Sequence, residues 1–236
     1  MKVSINQPAY LPWLGYFHRI AISDQHVILD HVQFEKNSMT NRNKIRTSQD
    51  WCWLTVPVET KGKFGDLAIN QLKISENTNW RKKHWQTLQQ NYGRAPFFSK
   101  YANFFENVYA KEWQSLYELN MEIVSFFIKT FGIKTPLRTS SEINVEGKKS
   151  ELVLNICLEL GASTYISGQL GKNYLSEKDF SEAGIEVIYH DFSPPTYKQM
   201  FPGFESNMSA VDVLFNCGEE HIKDLLQEIK IFKDQQ

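Results

Sequence analysis

Asp30 and His84 are the first candidates to accept a proton without a metal. Asp30 closes an apolar run at residues 26–29, and His84 sits in a helical pattern over residues 80–92. Either could serve as a general base. Asp30 could equally hold an amine or cap a turn, and His84 could be a core histidine. His190, beside Asp191 and just after a strand-like run at 185–189, is a third candidate. Asn41-Arg42-Asn43 places a rigid guanidinium between two amides, a pattern suited to a phosphate or pyrophosphate, or to a surface turn. The segment from Ser167 through Gly168, Gly171 and Lys172 to Tyr174 follows one strand-like run and precedes a helical one. Backbone N–H groups there could hold an anion, although the Walker A spacing is absent and a plain strand-to-helix turn would look the same. Gln7, Tyr10 and Trp13 lie in a loop dense in prolines and rings, directly after the first apolar run. The polar ends of Gln7 and Tyr10 suit ligand contact better than burial without a partner, whereas Trp13 could face a ligand or pack in the loop and core. His18, His26, His31 and His221 carry no assignment on sequence grounds.

Other chemistries lack their residues. There is no Ser-His-Asp order, no Gly-x-Ser-x-Gly elbow and no HExxH or other metal spacing, so no metal is expected. Cys52, Cys157 and Cys217 are far apart and form no CxxC pair. They read as free thiols in a reducing compartment. A net charge of −1 argues against a duplex-binding face, so no nucleic-acid partner is expected. The aromatic share of 14% raises the case for a sugar or nucleotide ligand only slightly, because rings also fill cores. Neither a signal peptide nor a membrane span is expected, which together point to a cytoplasmic protein. The residues leave the oligomeric state open, a homodimer included.

The elements that must position these groups follow from periodicity. Residues 2–5 read as a strand, 14–23 as a short helix and 26–29 as a second strand, a βαβ opening. Residues 44–46 and 51–58 read as a hairpin, 59–66 as a Gly/Lys loop and 69–74 as a strand. Helices are expected over 80–92, capped by Asn79, and over 97–110 and 112–131. A short strand at 137–139 leads to a helix at 149–160, a strand at 164–167, a helix at 174–182 and a strand at 185–189. Two last helices are expected near 211–217 and 220–232, the first opened by a Ser209-x-x-Asp212 cap. The expected fold is α/β: a mostly parallel sheet with a helical block inserted at about 78–135, in one domain over residues 1–236 and not a left-handed β-helix.

The first loop resembles in position that of HIGH-type nucleotidyltransferases. Here, however, Trp13-Leu14-Gly15-Tyr16 stands where two phosphate-binding histidines belong. A fuller match is to the WbqC-like family. It rests on Gln7-Pro8-x-Tyr10-Leu11-Pro12-Trp13-x-Gly15-Tyr16-Phe17, on Leu29-Asp30-x-Val32-Gln33-Phe34-x-Lys36-Asn37-Ser38, and on Asn41-Arg42-Asn43-x-Ile45. Trp53-Leu54-Thr55-Val56-Pro57-Val58, His84, the Tyr165–Leu175 segment and Ser209-x-x-Asp212 extend it. Met39-Thr40 departs from the family, which often carries an aromatic residue there.

The resemblance implies a role in O-antigen and lipopolysaccharide assembly. It also implies transfer of an acyl group from acetyl-CoA to the amine of a dTDP- or UDP-linked amino-deoxyhexose. Arg42 and Lys36 would then meet the diphosphate, Tyr10 and Trp13 the base or sugar, and His84 or Asp30 the amine proton. The Ser167–Gly171 turn or the Pro12–Gly15 loop would face the oxyanion. An aminoacyl or formyl transferase or ligase, and a non-catalytic nucleotide-sugar binding protein, are the alternatives.

Overall fold

Strand β1 (Lys2–Asn6) is buried from its second residue onward, as a central strand covered on both faces must be. It pairs in parallel with β2 (Gln25–Ile28), and helix α1 (Leu14–Ala21) makes the crossover between them. The computed structural model describes residues 1–60, 62 and 67–228. Most of the expected Gly/Lys loop at 59–66 lies outside the described residues, as does the expected helix beyond residue 228.

After β2 the chain leaves the sheet. It forms the antiparallel hairpin β3 (Arg42–Arg46) and β4 (Trp51–Thr55) and then helices α2 (Trp80–Tyr92), α3 (Phe98–Ala110) and α4 (Leu116–Thr130). It returns as β5 (Leu137–Thr139), α5 (Ser150–Glu159), β6 (Thr164–Ser167), α6 (Glu177–Glu182) and β7 (Glu186–Tyr189), and ends in α7 (Ala210–Glu228). The sheet order is β5-β2-β1-β6-β7, and every pairing is parallel. This is an open α/β sheet with a small hairpin added, as the sequence led us to expect.

Alternation in β1 divides the core. Val3 and Ile5 join Val27, Tyr165, Ile156 and Phe180 on the face covered by α5 and α6. Ser4 and Asn6 point the other way, towards α1. The Ser4 hydroxyl meets His26 Nδ1 at 2.7 Å and accepts from Ser23 Oγ at 2.7 Å. On that side Phe17 packs on Phe127 and Phe131, with ring centroids 5.1 and 5.2 Å apart. α1 is thereby joined to the helical block. Truncating such a buried ring typically costs about 3–5 kcal/mol.

Local expectations fail where long-range contacts intervene. Residues 69–74 form no strand. Ile69–Gln71 is a 3₁₀ turn, because Ile69 N–H donates to Val32 O and Asn70 N–H to Asp30 O. The stretch 169–173 is also 3₁₀, and α6 begins only at Glu177. The two expected C-terminal helices do form, and within Ala210–Glu228 the non-helical Gly218 (φ 77°, ψ 172°) separates them. A Cβ at Gly218 would also stand 2.8 Å from the Phe97 ring. Asn79 occupies its cap position without a side-chain cap bond.

Candidate functional site

In an open parallel sheet, ligands gather where neighbouring strands send their connections in opposite directions. Here β1 connects towards β2 and β6 connects towards β7. The crevice therefore lies beyond Asn6 and Ser167, the last residues of β1 and β6.

Two imidazoles meet beside it. His190 follows β7 and is fixed by its N–H to Ser167 O (2.8 Å) and by Gln169 Nε2 donating to its carbonyl (2.9 Å). His18 comes from α1. His18 Nδ1 and His190 Nε2 are 2.7 Å apart, and the rings stack at 4.9 Å. Burial, the His18 ring and the Arg19 charge push His190 down to about 3, so it is neutral at physiological pH. Phe192 closes on both rings, with centroids at 5.7 and 5.8 Å. Gly15 permits this approach, since a Cβ there would be 2.7 Å from Phe192 and 2.9 Å from Trp13 Nε1. Next to the imidazole pair is a small cavity walled by Trp13, Phe192, Pro194, Pro195, Tyr197 and Phe204, among others. At about 20 Å³ the cavity admits about one water, so its aromatic walls would have to open to take a sugar or a base.

Asp212 holds that wall in place. It accepts from Tyr92 (2.8 Å) on one oxygen and from Tyr197 (2.7 Å) and Gln199 (2.8 Å) on the other. Gln199 in turn grips the backbone of Glu205. Burial raises the Asp212 carboxyl, although its three donors and Arg46 oppose the shift. The sequence suggested a capping box at Ser209-x-x-Asp212. Ser209 Oγ does accept from Val211 N–H at 3.3 Å, but the Asp212 carboxylate turns into the core instead of back to the cap.

The residues expected to form the site are divided among several places. Asp30 is fully engaged as a clamp. Oδ1 accepts from Ser140 Oγ and Ser141 N–H, and Oδ2 from Ser141 Oγ and Asn70 Nδ2, all within 2.9 Å. Burial alone would raise its carboxyl, but these donors outweigh it and hold the group below the usual range. With two donors on each oxygen, Asp30 has no position left for a substrate amine. His84 is likewise enclosed. Its Nδ1 meets Tyr10 OH at 2.8 Å, Tyr10 OH meets Tyr109 OH at 2.6 Å, and a further bond joins His84 to the Thr55 backbone. Burial pushes His84 down to about 4. Tyr10 is wholly buried, so it faces His84 and not a ligand.

The two amides of Asn41-Arg42-Asn43 do not flank a ligand. Asn41 Nδ2 donates to Val56 O (2.9 Å), and Asn43 Nδ2 donates to Leu11 O (2.7 Å). Strand alternation sends Arg42 to the opposite face of the hairpin from Asn43. There its guanidinium stacks 4.3 Å over Trp53 and donates to Asn37 O. Lys36 is exposed in the neighbouring turn, and Gln7 Oε1 accepts from Thr40 Oγ1 at 3.5 Å. Trp13 does reach the cavity wall. Ser167 and Gly168 lie at the crevice, where a Cβ on Gly168 would collide with Arg19 Nη1. A Cβ on Gly171 would collide with Ser167 Oγ. Lys172 lies over the Tyr189 ring at 5.2 Å, and Tyr174 is exposed.

His18, Arg19 and Asp212 were not legible as site residues. Burial raises all three thiols, Cys157 to about 12, so none is a ready nucleophile. Among the described residues no group of three or more His, Cys, Asp or Glu is arranged to hold a metal, and no helix is long and apolar enough to cross a membrane.

A model of the WbqC-like protein family matches residues 7–224. A Mycobacterium tuberculosis protein described as uncharacterized is 38% identical over 221 residues, covering 93% of this chain and 95% of the relative. No solved structure matches.

Proposed function

The chain belongs to the WbqC-like protein family, and from that premise we propose that it is an N-acyltransferase acting on a nucleotide-linked amino sugar. The acyl donor is a CoA thioester, with acetyl the expected group, and the product serves surface-polysaccharide assembly. The observation that carries this reading is the stacked imidazole pair His18–His190, set beside an aromatic cavity at the switch point of the sheet.

The chemistry needs one base and one enclosed face. The amine lone pair attacks the thioester carbon, and the C–N bond forms as the carbonyl π pair moves to oxygen. His190 takes the amine proton on Nδ1 once substrate binding lifts its depressed value, while its Nε2–H donates to His18 Nδ1. The tetrahedral adduct collapses, the C–S bond breaks, and the leaving thiolate takes the proton from His190, which restores the neutral imidazole. Amide and free CoA result. His84 and Asp30 support this frame without exchanging protons with substrate. Trp13 and Phe192 shield the reacting carbon from water.

Release of free CoA thiol is the test, measured with acetyl-CoA and a panel of dTDP- and UDP-linked amino sugars. His190→Asn should lower kcat on the order of 10²-fold or more. Absence of turnover across the panel would defeat the reading. Tight nucleotide-sugar binding with no turnover would instead favour a binding module.

A further inference from the structure

Arg19 presents a problem of charge. Its side chain is largely covered by protein, Nε is fully buried, and that nitrogen has no hydrogen-bond partner. Among the described residues its guanidinium makes no ion pair and donates no hydrogen bond. The groups that feel its charge are Tyr16, Tyr165, Tyr174, His26 and His190. Burial raises the three phenols and depresses the two imidazoles, so all five are neutral at physiological pH. A guanidinium covered this way without a counter-ion is costly.

Its position suggests what offsets the cost. The guanidinium lies against Gly168, just beyond the end of β6, and only a residue without a Cβ allows the approach. Gly168 has φ −72°, an ordinary conformation, so the requirement is for space and not for backbone freedom. Across the same crevice, Asn6 ends β1. Asn6 is 5% exposed, and its Nδ2 has no acceptor. Two donors without acceptors therefore border one crevice, at the place where open α/β sheets bind ligands.

We propose that Arg19 and Asn6 form an anion subsite at the β1/β6 switch point, which takes a phosphate or diphosphate group. The subsite stands on this geometry, while naming its occupant as a diphosphate of one of the two substrates rests on the acyltransferase reading. Both the nucleoside diphosphate of the sugar and the adenosine diphosphate portion of CoA carry the group. A planar fork meets two phosphate oxygens at once, which a lysine cannot do. An anion at Arg19 would also offset one of the influences that depress His190, so binding there favours proton uptake by the imidazole pair.

The test is thermal unfolding and calorimetry with inorganic pyrophosphate, ADP and dTDP, none of which requires turnover. Pyrophosphate should raise the melting temperature of the wild type. Arg19→Met should melt at or above the wild-type temperature without ligand, because it removes an uncompensated charge, and it should lose the pyrophosphate shift. Arg19→Lys keeps the charge but not the fork, and its Kd should rise by about tenfold or more. It also keeps the test open if the Met variant fails to fold. Arg94→Ala, at an exposed arginine, should leave Kd unchanged. A response to ADP assigns the subsite to the CoA side and a response to dTDP to the sugar side; either supports it. If pyrophosphate does not bind the wild type, or binds Arg19→Lys as tightly, the subsite is refuted. The acyltransferase reading would survive that result, since it is judged by thiol release.

Discussion

Asp30→Asn separates a clamp from a catalyst. In the wild type the two carboxylate oxygens accept four hydrogen bonds, and the residue is 1% exposed. Asparagine keeps the shape but turns one acceptor oxygen into a donor. The two donors on that side then face another donor. The serine hydroxyls can rotate and the Asn70 side-chain amide can flip, whereas Ser141 N–H is fixed by its backbone. Two charge-assisted bonds are lost at about 1.5–3 kcal/mol each, for a destabilisation of about 3–6 kcal/mol. With an m-value of about 2–3 kcal/mol per M urea, the midpoint should fall by about 1–3 M at unchanged m. Urea unfolding followed by fluorescence measures this, and thiol release per folded molecule measures catalysis. The clamp reading expects a large loss of stability and nearly normal kcat in the folded fraction. Wild-type stability with a collapse in kcat would refute it and return Asp30 to the role of base.

Three further outcomes follow from the same physics. His84→Gln should cost about 1–3 kcal/mol by removing one of the two partners of the buried Tyr10 hydroxyl and leave kcat per folded molecule close to wild type; a loss of kcat at full stability would contradict the structural role. Asn43→Ala should cost about 2–3 kcal/mol, because it strands the Leu11 carbonyl in a loop held at φ 45°, and an unchanged urea midpoint would show that Asn43 does not pin the loop. Stability should fall as pH drops below 6.5, the ordinary histidine value. Burial holds His26 down at about 3, His84 at about 4 and His190 at about 3, so the unfolded chain binds protons that the folded one refuses. Each proton contributes about 1.4 kcal/mol per pH unit in that window, and a midpoint flat between pH 7 and pH 5 would rule out three buried neutral imidazoles.

The sequence by itself determined the layers. Period-two and continuous apolar runs at residues 2–5, 26–29, 164–167 and 185–189 dictate strands, and 3.6-residue periodicity dictates the helices between them. These patterns are local, and a single sheet with crossovers is the arrangement that buries them. Gln7–Phe17 could be read as a ring-rich loop at a strand end for the same reason. Which side chains meet was decided only by tertiary structure. Asp30 looks free until the 3₁₀ turn at Ser140–Glu142 arrives from more than a hundred residues away to saturate it. Asn41-Arg42-Asn43 looks like one motif, but strand alternation sends its members to opposite faces. His18 and His190, 172 residues apart in sequence, become partners only when β7 pairs with β6 and α1 crosses beneath them. Arg19 reads as an ordinary helix charge, and its missing counter-ion is visible only once every neighbour is in place. Periodicity records the burial of one element at a time, whereas a site depends on contacts among several elements, which the fold alone supplies.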